Sequence, residues 1–323
     1  MKKYILKGLC VALAARFMMM TIPMSIGAVD ETPASKFSSH SPIPLYEEGN
    51  IPYLAPGEKT LPAIRPYVAE NNPDGRAMIV FPGGGYYYHE ITESENIALM
   101  YNQAGYTSFV VDYRLGTLDQ EKDTSPRPEP TNDYHAILSD AIRAVKYVRA
   151  HADEFGIDPD KIAVVGFSAG GHLCARLATH FDFEIDDPTY VPDAVDAVSA
   201  RPDAAVLAYP VVTLLSPYTF AYCAKAFTRN DLELSIKFSG EHAVTEDTSP
   251  IFMWHRRCDT GVPPQNSIQL AMKLQEYGIP YELHVFSQGG HGGAVSSYNN
   301  RANNSSGQWF DLSVAFLDKI LSE

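Results

Sequence analysis

The chain has 323 residues, 45% of them hydrophobic and 20% charged, so it can bury a large core and is not disordered. Its formal net charge is −14, and four basic residues (Lys2, Lys3, Lys7 and Arg16) fall in the first 28 positions, so the remainder is more acidic still. This balance argues against nucleic acid or an anionic membrane as partner, and against a polyanionic substrate.

The N-terminus carries Lys2, Lys3 and Lys7, then the apolar stretches Leu9–Ala15 and Phe17–Ile26, then the small residues of Ser25-Ile26-Gly27-Ala28. This pattern predicts a signal peptide over residues 1–28, and hence a secreted or periplasmic protein. Arg16 and Pro23 interrupt the apolar run, so no stable membrane insertion is expected. Residues 29–323 are expected to form one domain, with the Pro-containing segment 29–75 as an N-terminal arm and edge strands.

Arg76–Phe81 reads as a strand, followed by the glycine loop Pro82-Gly83-Gly84-Gly85-Tyr86. Glu93–Ala104 reads as a helix, Tyr106–Asp112 as a strand and Leu115–Pro130 as a polar loop. A long helical period follows over Asp133–Phe155, with Ile137, Ala141, Val145 and Val148 on one face. Lys161–Val165 is a short β-prone run. Gly166-Phe167-Ser168-Ala169-Gly170 comes next, and apolar residues at helical spacing follow over Gly171–Thr179. Asp203–Tyr209 is the next strand. Thr213–Thr248 mixes aromatic and polar residues and is expected to cover the site formed by its neighbours. Pro250–His255 reads as a buried strand, Pro264–Tyr277 as a helix and Tyr281–Phe286 as a strand. Ser296–Gly307, polar and Asn-rich, is expected to be a mobile loop, and Gln308–Leu321 a closing helix. Alternating strands and helices imply an α/β fold, with a mainly parallel central sheet and helices on both faces.

The G-x-S-x-G at 166–170 stands between a strand and a helix, the context of a nucleophile elbow. Small residues at 166 and 170 let strand and helix approach, and the turn presents Ser168 at a helix N-terminus, where negative charge is favoured. A serine needs a base and an acid to orient that base. Asp259 lies in a Gly/Pro loop past the strand ending at His255, and His291 is ringed by glycines past the strand ending at Phe286. Ser168, Asp259 and His291 are therefore the expected catalytic set. His255 is expected to shape the pocket, and His172 to hydrogen-bond within the surrounding loops. Donors for a tetrahedral oxyanion are expected from the N–H groups of Ala169, Gly84 and Gly85. Tyr86, Tyr87 and Tyr88 could stack on a sugar or a phenolic ring, or simply pack the loop; Tyr86 and Tyr87 are the candidate substrate contacts. Cys174, Cys223 and Cys258 remain after the leader, and their spacing defines no pairing. There is no C-x-x-C motif, and neither metal nor cofactor is expected.

The segments F-P-G-G-G-Y, V-V-D-Y-R-L, I-D-P-D-K-I-A-V-V-G-F-S-A-G-G-H-L, D-T-G-V-P-P-Q-N-S and H-V-F-S-Q-G-G-H-G resemble the α/β-hydrolase esterases. Within them the chain is similar to the secreted bacterial acetyl esterase and acetylxylan esterase group, over about residues 75 to 322. Pro82 stands where lipase-like relatives carry His, and Cys258 where a second Asp or a Gly is common. The resemblance implies an α/β-hydrolase fold with a short cap over the site, and a serine esterase that removes acetyl groups from xylan-type carbohydrate. A feruloyl or general short-chain carboxylesterase, a serine peptidase and a catalytically silent binding protein of the same fold are the alternatives. The acyl group, the sugar and the oligomeric state are not written in the sequence.

Overall fold

Apolar runs that are buried on both faces build the centre of the sheet. The computed structural model describes residues 40–118 and 128–322, which lie in the unit Ser35–Glu323. The leader expected over 1–28, with Cys10, lies outside the described residues.

The elements in chain order are β1 (Ile43–Pro44), β2 (Ala63–Tyr67), β3 (Ala77–Phe81), α1 (Glu95–Gln103), β4 (Thr107–Asp112), α2 (Tyr134–Ala150), α3 (Ala152–Phe155), β5 (Ile162–Phe167), α4 (Ala169–Thr179), β6 (Ala204–Ala208), α5 (Ala221–Thr228), α6 (Leu232–Phe238), β7 (Ile251–Arg256), α7 (Gln265–Tyr277), β8 (Tyr281–Phe286), α8 (Ala294–Asn299) and α9 (Trp309–Ile320). The strands form one eight-stranded sheet in the order β1-β2-β4-β3-β5-β6-β7-β8. β1 and β2 pair antiparallel at one edge, and β4, β3, β5, β6, β7 and β8 run parallel.

Strand alternation divides the core in two. Ile79, Phe81, Phe109, Val111 and Val164 face Ile137 and Val145 of α2, Leu173 and Leu177 of α4, and Leu270 and Leu274 of α7. Their neighbours Met78, Val80, Val110, Val165 and Phe167 face Ile97 and Tyr101 of α1 and Trp309, Phe316 and Leu317 of α9. Each central strand therefore reads as an unbroken apolar run rather than an alternating one. This is the mainly parallel, doubly covered sheet that the alternation of elements implied.

Two local expectations are corrected. The long helix expected over Asp133–Phe155 breaks at His151, whose Nδ1 lies 2.8 Å from the Tyr147 carbonyl. The segment expected to be a mobile loop instead forms α8 and a 3-10 turn over Ser305–Gln308. Their order comes from the mostly buried Arg256 at the end of β7, which donates to Ser297 Oγ and, at 3.1 Å, to Ser306 Oγ.

Arg114, just past β4, forms a bidentate pair with Asp140 of α2 at 2.8 and 2.7 Å, and both side chains are 0% exposed. The same guanidinium donates to the Pro52 carbonyl at 2.6 Å, tying the N-terminal arm to α2. Asp140→Ala leaves this charge buried and unpaired, so the unfolding free energy should fall by about 3–5 kcal/mol. Urea denaturation measures it, and a loss under about 1 kcal/mol would contradict a structural role for the pair.

Candidate active site

The C-terminal ends of β3, β5, β6, β7 and β8 converge on one side of the sheet, where open α/β sheets form their crevices. Ser168 follows β5 directly and caps α4 with φ 52° and ψ −113°. A left-handed φ at a serine costs on the order of 1–3 kcal/mol and persists only if neighbours impose it. They do: Ser168 N donates to the Ala208 carbonyl, and the Ser168 carbonyl accepts from Val211 N, each at 3.0 Å. The turn also needs Gly170, because a Cβ there would lie 2.1 Å from the Phe81 carbonyl oxygen.

His291, in the loop after β8, places Nε2 2.8 Å from Ser168 Oγ and Nδ1 2.7 Å from Asp259 Oδ2. An ionised carboxylate only accepts, so Nδ1 carries the proton and Nε2 is left to receive one from Ser168. Asp259, in the loop after β7, uses its other oxygen to accept the N–H groups of Gly261 and Val262, each at 2.9 Å. Burial pushes the Asp259 carboxyl up. Hydrogen bonds from His291 and the Val262 N–H, with His255 nearby, outweigh that and hold it well below the usual carboxylate range. His255 is fully buried between Ser267 Oγ (2.9 Å) and the Val262 carbonyl (2.8 Å), and so packs the acid loop from below.

The glycine loop after β3 takes φ 121° at Gly84, and a Cβ there would lie 1.9 Å from the Tyr88 carbonyl oxygen. Gly84 and Gly85 line the same cleft as Ser168 and His291. Ala169 opens α4, so its N–H has no intrahelical acceptor. The loop is held from behind: Tyr113 Oη donates to the Pro82 carbonyl at 2.5 Å, and Tyr86 Oη lies 2.7 Å from His172 Nδ1. Burial pushes His172 down to about 3, so its ring is neutral: Nε2–H donates to the Phe238 carbonyl at 3.0 Å and Nδ1 accepts from Tyr86. His172 therefore hydrogen-bonds within the surrounding loops, as expected from its position after the serine.

The substrate contacts read from the sequence need correction. Tyr86 and Tyr87 are both 0% exposed and turn away from the cleft. Tyr86 stacks on Phe227 with centroids 5.4 Å apart, and Tyr87 meets Tyr222 edge-on at the same distance. The left-handed backbone at Gly85 and Tyr86 turns the chain, so Tyr88 is the loop tyrosine that reaches the cleft. The cleft has a volume of about 410 Å³ and is also lined by Glu90, Thr92, Glu93, Phe220, Gly261, Gly292 and Gly293. Phe220 comes from the segment expected to cover the site.

Three further side chains shape the site and escaped the sequence reading. Arg256 donates to the carbonyls of Gly290 (2.8 Å) and Gly292 (2.5 Å), on either side of His291. Glu93 and Tyr209 lie behind the glycine loop, hydrogen-bonded to each other. A charge ending the apolar run at 251–255 was the available signal for Arg256. Glu93 read as the first residue of a helix and Tyr209 as the last of a strand, so neither stood out. Cys174 and Cys223 are buried and Cys258 is exposed.

Chemically, this set can take the proton of a hydroxyl, stabilise the resulting imidazolium with a fixed carboxylate, and offer backbone N–H groups to an oxyanion. The sheet order, the serine elbow and the position of the cleft define an α/β-hydrolase. The BD-FAE family model matches residues 66–274, and the chain belongs to that family. The match includes Gly84, Ser168 and Asp259 and ends before His291. Endo-1,4-beta-xylanase B of Butyrivibrio fibrisolvens is 35% identical over 240 residues, 73% of this chain and 35% of that protein. The acetylxylan esterase of Xylanibacter ruminicola is 27% identical over 248 residues, 74% of this chain and 46% of that one. The chain thus spans less than half the length of either curated relative. Among solved structures, an acetyl ester-xyloside bifunctional hydrolase from Caldicellulosiruptor lactoaceticus is 34% identical with a TM-score of 0.76, covering 89% of this chain and 98% of that one.

Proposed function

We propose that this protein is a secreted serine esterase that removes acetyl groups from xylan-type polysaccharide or its oligosaccharides. The observation that carries the reading is the unbroken series Ser168 Oγ, His291, Asp259, opening on the cleft beside the Gly84–Gly85 loop. Ser168 Oγ attacks the acetyl carbonyl carbon while His291 Nε2 takes its proton. The carbonyl oxygen becomes an oxyanion held by the N–H of Ala169 and of the glycine loop. The intermediate collapses, the bond to the sugar oxygen breaks, and His291 returns the proton to that oxygen. A water then repeats the sequence on the acetyl-serine, releasing acetate and restoring Ser168.

The similarity to an acetylxylan esterase and to an acetyl ester-xyloside hydrolase supports acetylated carbohydrate as the substrate class. So do a cleft bordered by Glu90 and Thr92 and the acidic composition, which suit neutral sugars. Secretion rests on the leader-like pattern of residues 1–28. Among the described residues no helix is long and apolar enough to cross a membrane.

An aryl ester series tests the acyl group. Each methylene gains about 0.8 kcal/mol only where a pocket buries it. Acetate should be cleaved far faster than chains of about eight carbons or more. Rates climbing steadily from acetate to decanoate would move the protein towards long-chain esters. Tyr88 and Phe220 at the cleft favour a feruloyl ester as the second reading, since either ring could face a phenolic group. Release of acetate from acetylated xylo-oligosaccharides, without ferulate from methyl ferulate, separates the two.

A further inference from the structure

Glu93 ends the 3-10 turn Ile91–Glu93 and is 4% exposed, a carboxyl buried beside the reacting groups and, among the described residues, outside any ion pair. Its Oε2 accepts the N–H of Gly83 at 2.9 Å, one residue before Gly84. Its Oε1 accepts the hydroxyl of Tyr209 at 2.6 Å. Tyr209 immediately follows β6 with φ 38°, a backbone conformation costly for an aromatic residue. Its main-chain N–H donates to the Trp254 carbonyl at 2.8 Å. Its ring meets the His291 ring edge-on, with centroids 5.2 Å apart and planes at 72°. One continuous series therefore runs from the glycine loop, through Glu93 and Tyr209, to the loop that carries His291.

We propose that Glu93 and Tyr209 act as a positioning pair that holds the oxyanion loop and the His291 loop in register for acyl transfer. The inference rests on the esterase reading above. With Tyr113 on the Pro82 carbonyl and Glu93 on the Gly83 N–H, both polar atoms of the Pro82–Gly83 peptide are held, which fixes the chain immediately before the peptide that carries the Gly84 N–H. Tyr209 sets the tilt of the imidazole through its ring, and its hydroxyl ties that ring to Glu93. Both tasks depend on one carboxyl accepting two bonds at once, which the ionised form does without conflict. A protonated carboxyl would bring an O–H against the Tyr209 hydroxyl, which already donates to it.

Burial pushes the Glu93 carboxyl up to about 7, against the pull of its bonds from Tyr209 and Gly83 and of nearby His291; Glu90 adds to the rise. Tyr113 is a further titratable group near it. A carboxyl with a raised folded value contributes stability that is fully present below its unfolded value and is lost as pH rises through the folded one. Ionised Glu93 thus costs stability in the range where the positioning pair is complete. A merely structural residue would show the opposite coupling, with activity lost because stability is lost.

The test compares Glu93→Gln, Tyr209→Phe, the double variant and Ser168→Ala with the wild type, on an aryl acetate and by thermal unfolding. Glutamine keeps an acceptor for Gly83 but turns an N–H donor towards Tyr209; phenylalanine keeps the ring on His291 and removes the hydroxyl. The expected result is a kcat at least about 30-fold lower in each single variant with KM within about threefold, in the range of a mispositioned oxyanion donor. The double variant should lose no more than about threefold beyond the worse single one, because both act through one series. The thermal midpoint of Glu93→Gln relative to wild type should rise between about pH 5 and about pH 8 as the buried charge is relieved. A folded Glu93→Gln with kcat within about threefold of wild type at about pH 8, or additive losses in the double variant, would overturn the proposal. Should Glu93→Gln not fold, a Tyr209→Phe variant of near-normal kcat overturns it alone. If Ser168→Ala also retains activity, it is the acyl-transfer reading that fails.

Discussion

Replacing Ser168 by alanine should leave a folded protein whose hydrolysis of an aryl acetate falls by about 10⁴-fold or more. The hydroxyl lies 2.8 Å from His291 Nε2 and bonds to no element of the core, so its loss costs chemistry rather than packing. Alanine is also relieved of nothing: the left-handed backbone at 168 is imposed by the bonds of its N–H and carbonyl to Ala208 and Val211, and these stay. Residual turnover would come from the backbone donors and from binding alone. A folded Ser168→Ala variant that keeps more than about a tenth of the wild-type kcat/KM would place the nucleophile elsewhere.

Asp259→Asn should cost about 10⁴-fold in kcat, although it changes one atom. The carboxylate oxygen Oδ1 is committed to the N–H groups of Gly261 and Val262, so the asparagine carbonyl takes that side. The amide nitrogen then faces His291 Nδ1 at the position of Oδ2 and donates to it. Nδ1 becomes an acceptor, the proton moves to Nε2, and the imidazole can no longer take one from Ser168. Stability follows the depressed carboxyl of Asp259. Its contribution is present above the ordinary aspartate value, about 3.9, and is lost as pH falls towards the folded one. The variant should therefore melt below the wild type at neutral pH, with the gap closing on acidification. A kcat within about tenfold of wild type would mean that His291 is oriented by something other than Asp259.

The parts of this molecule that could be read from the chain are those whose cause is local. β3, β5 and β7 appear as apolar runs because the sheet buries both of their faces, and each ends at a loop bearing glycine or proline. Ser168, Asp259 and His291 were legible because each sits in such a loop directly after a strand. The illegible parts have distant causes. α8 and the following turn look like a polar linker until Arg256, from a strand some way back in the chain, reaches into them. The direction of Tyr86, Tyr87 and Tyr88 depends on the backbone turn at Gly85 and Tyr86, which three consecutive tyrosines do not encode. Glu93 and Tyr209 are ordinary at their own positions and become informative only when β6 and the glycine loop lie side by side. β1 and β2, by contrast, fall in the N-terminal stretch read as edge strands, and they pair antiparallel.

The most direct test of the account is labelling by a serine-reactive aryl phosphonate followed by peptide mapping. One phosphonyl group per chain should appear on Ser168, in step with the loss of esterase activity, and labelling should be abolished by His291→Ala in a protein that remains folded. Complete inactivation with the label on another residue, or full activity with Ser168 labelled, would contradict the account.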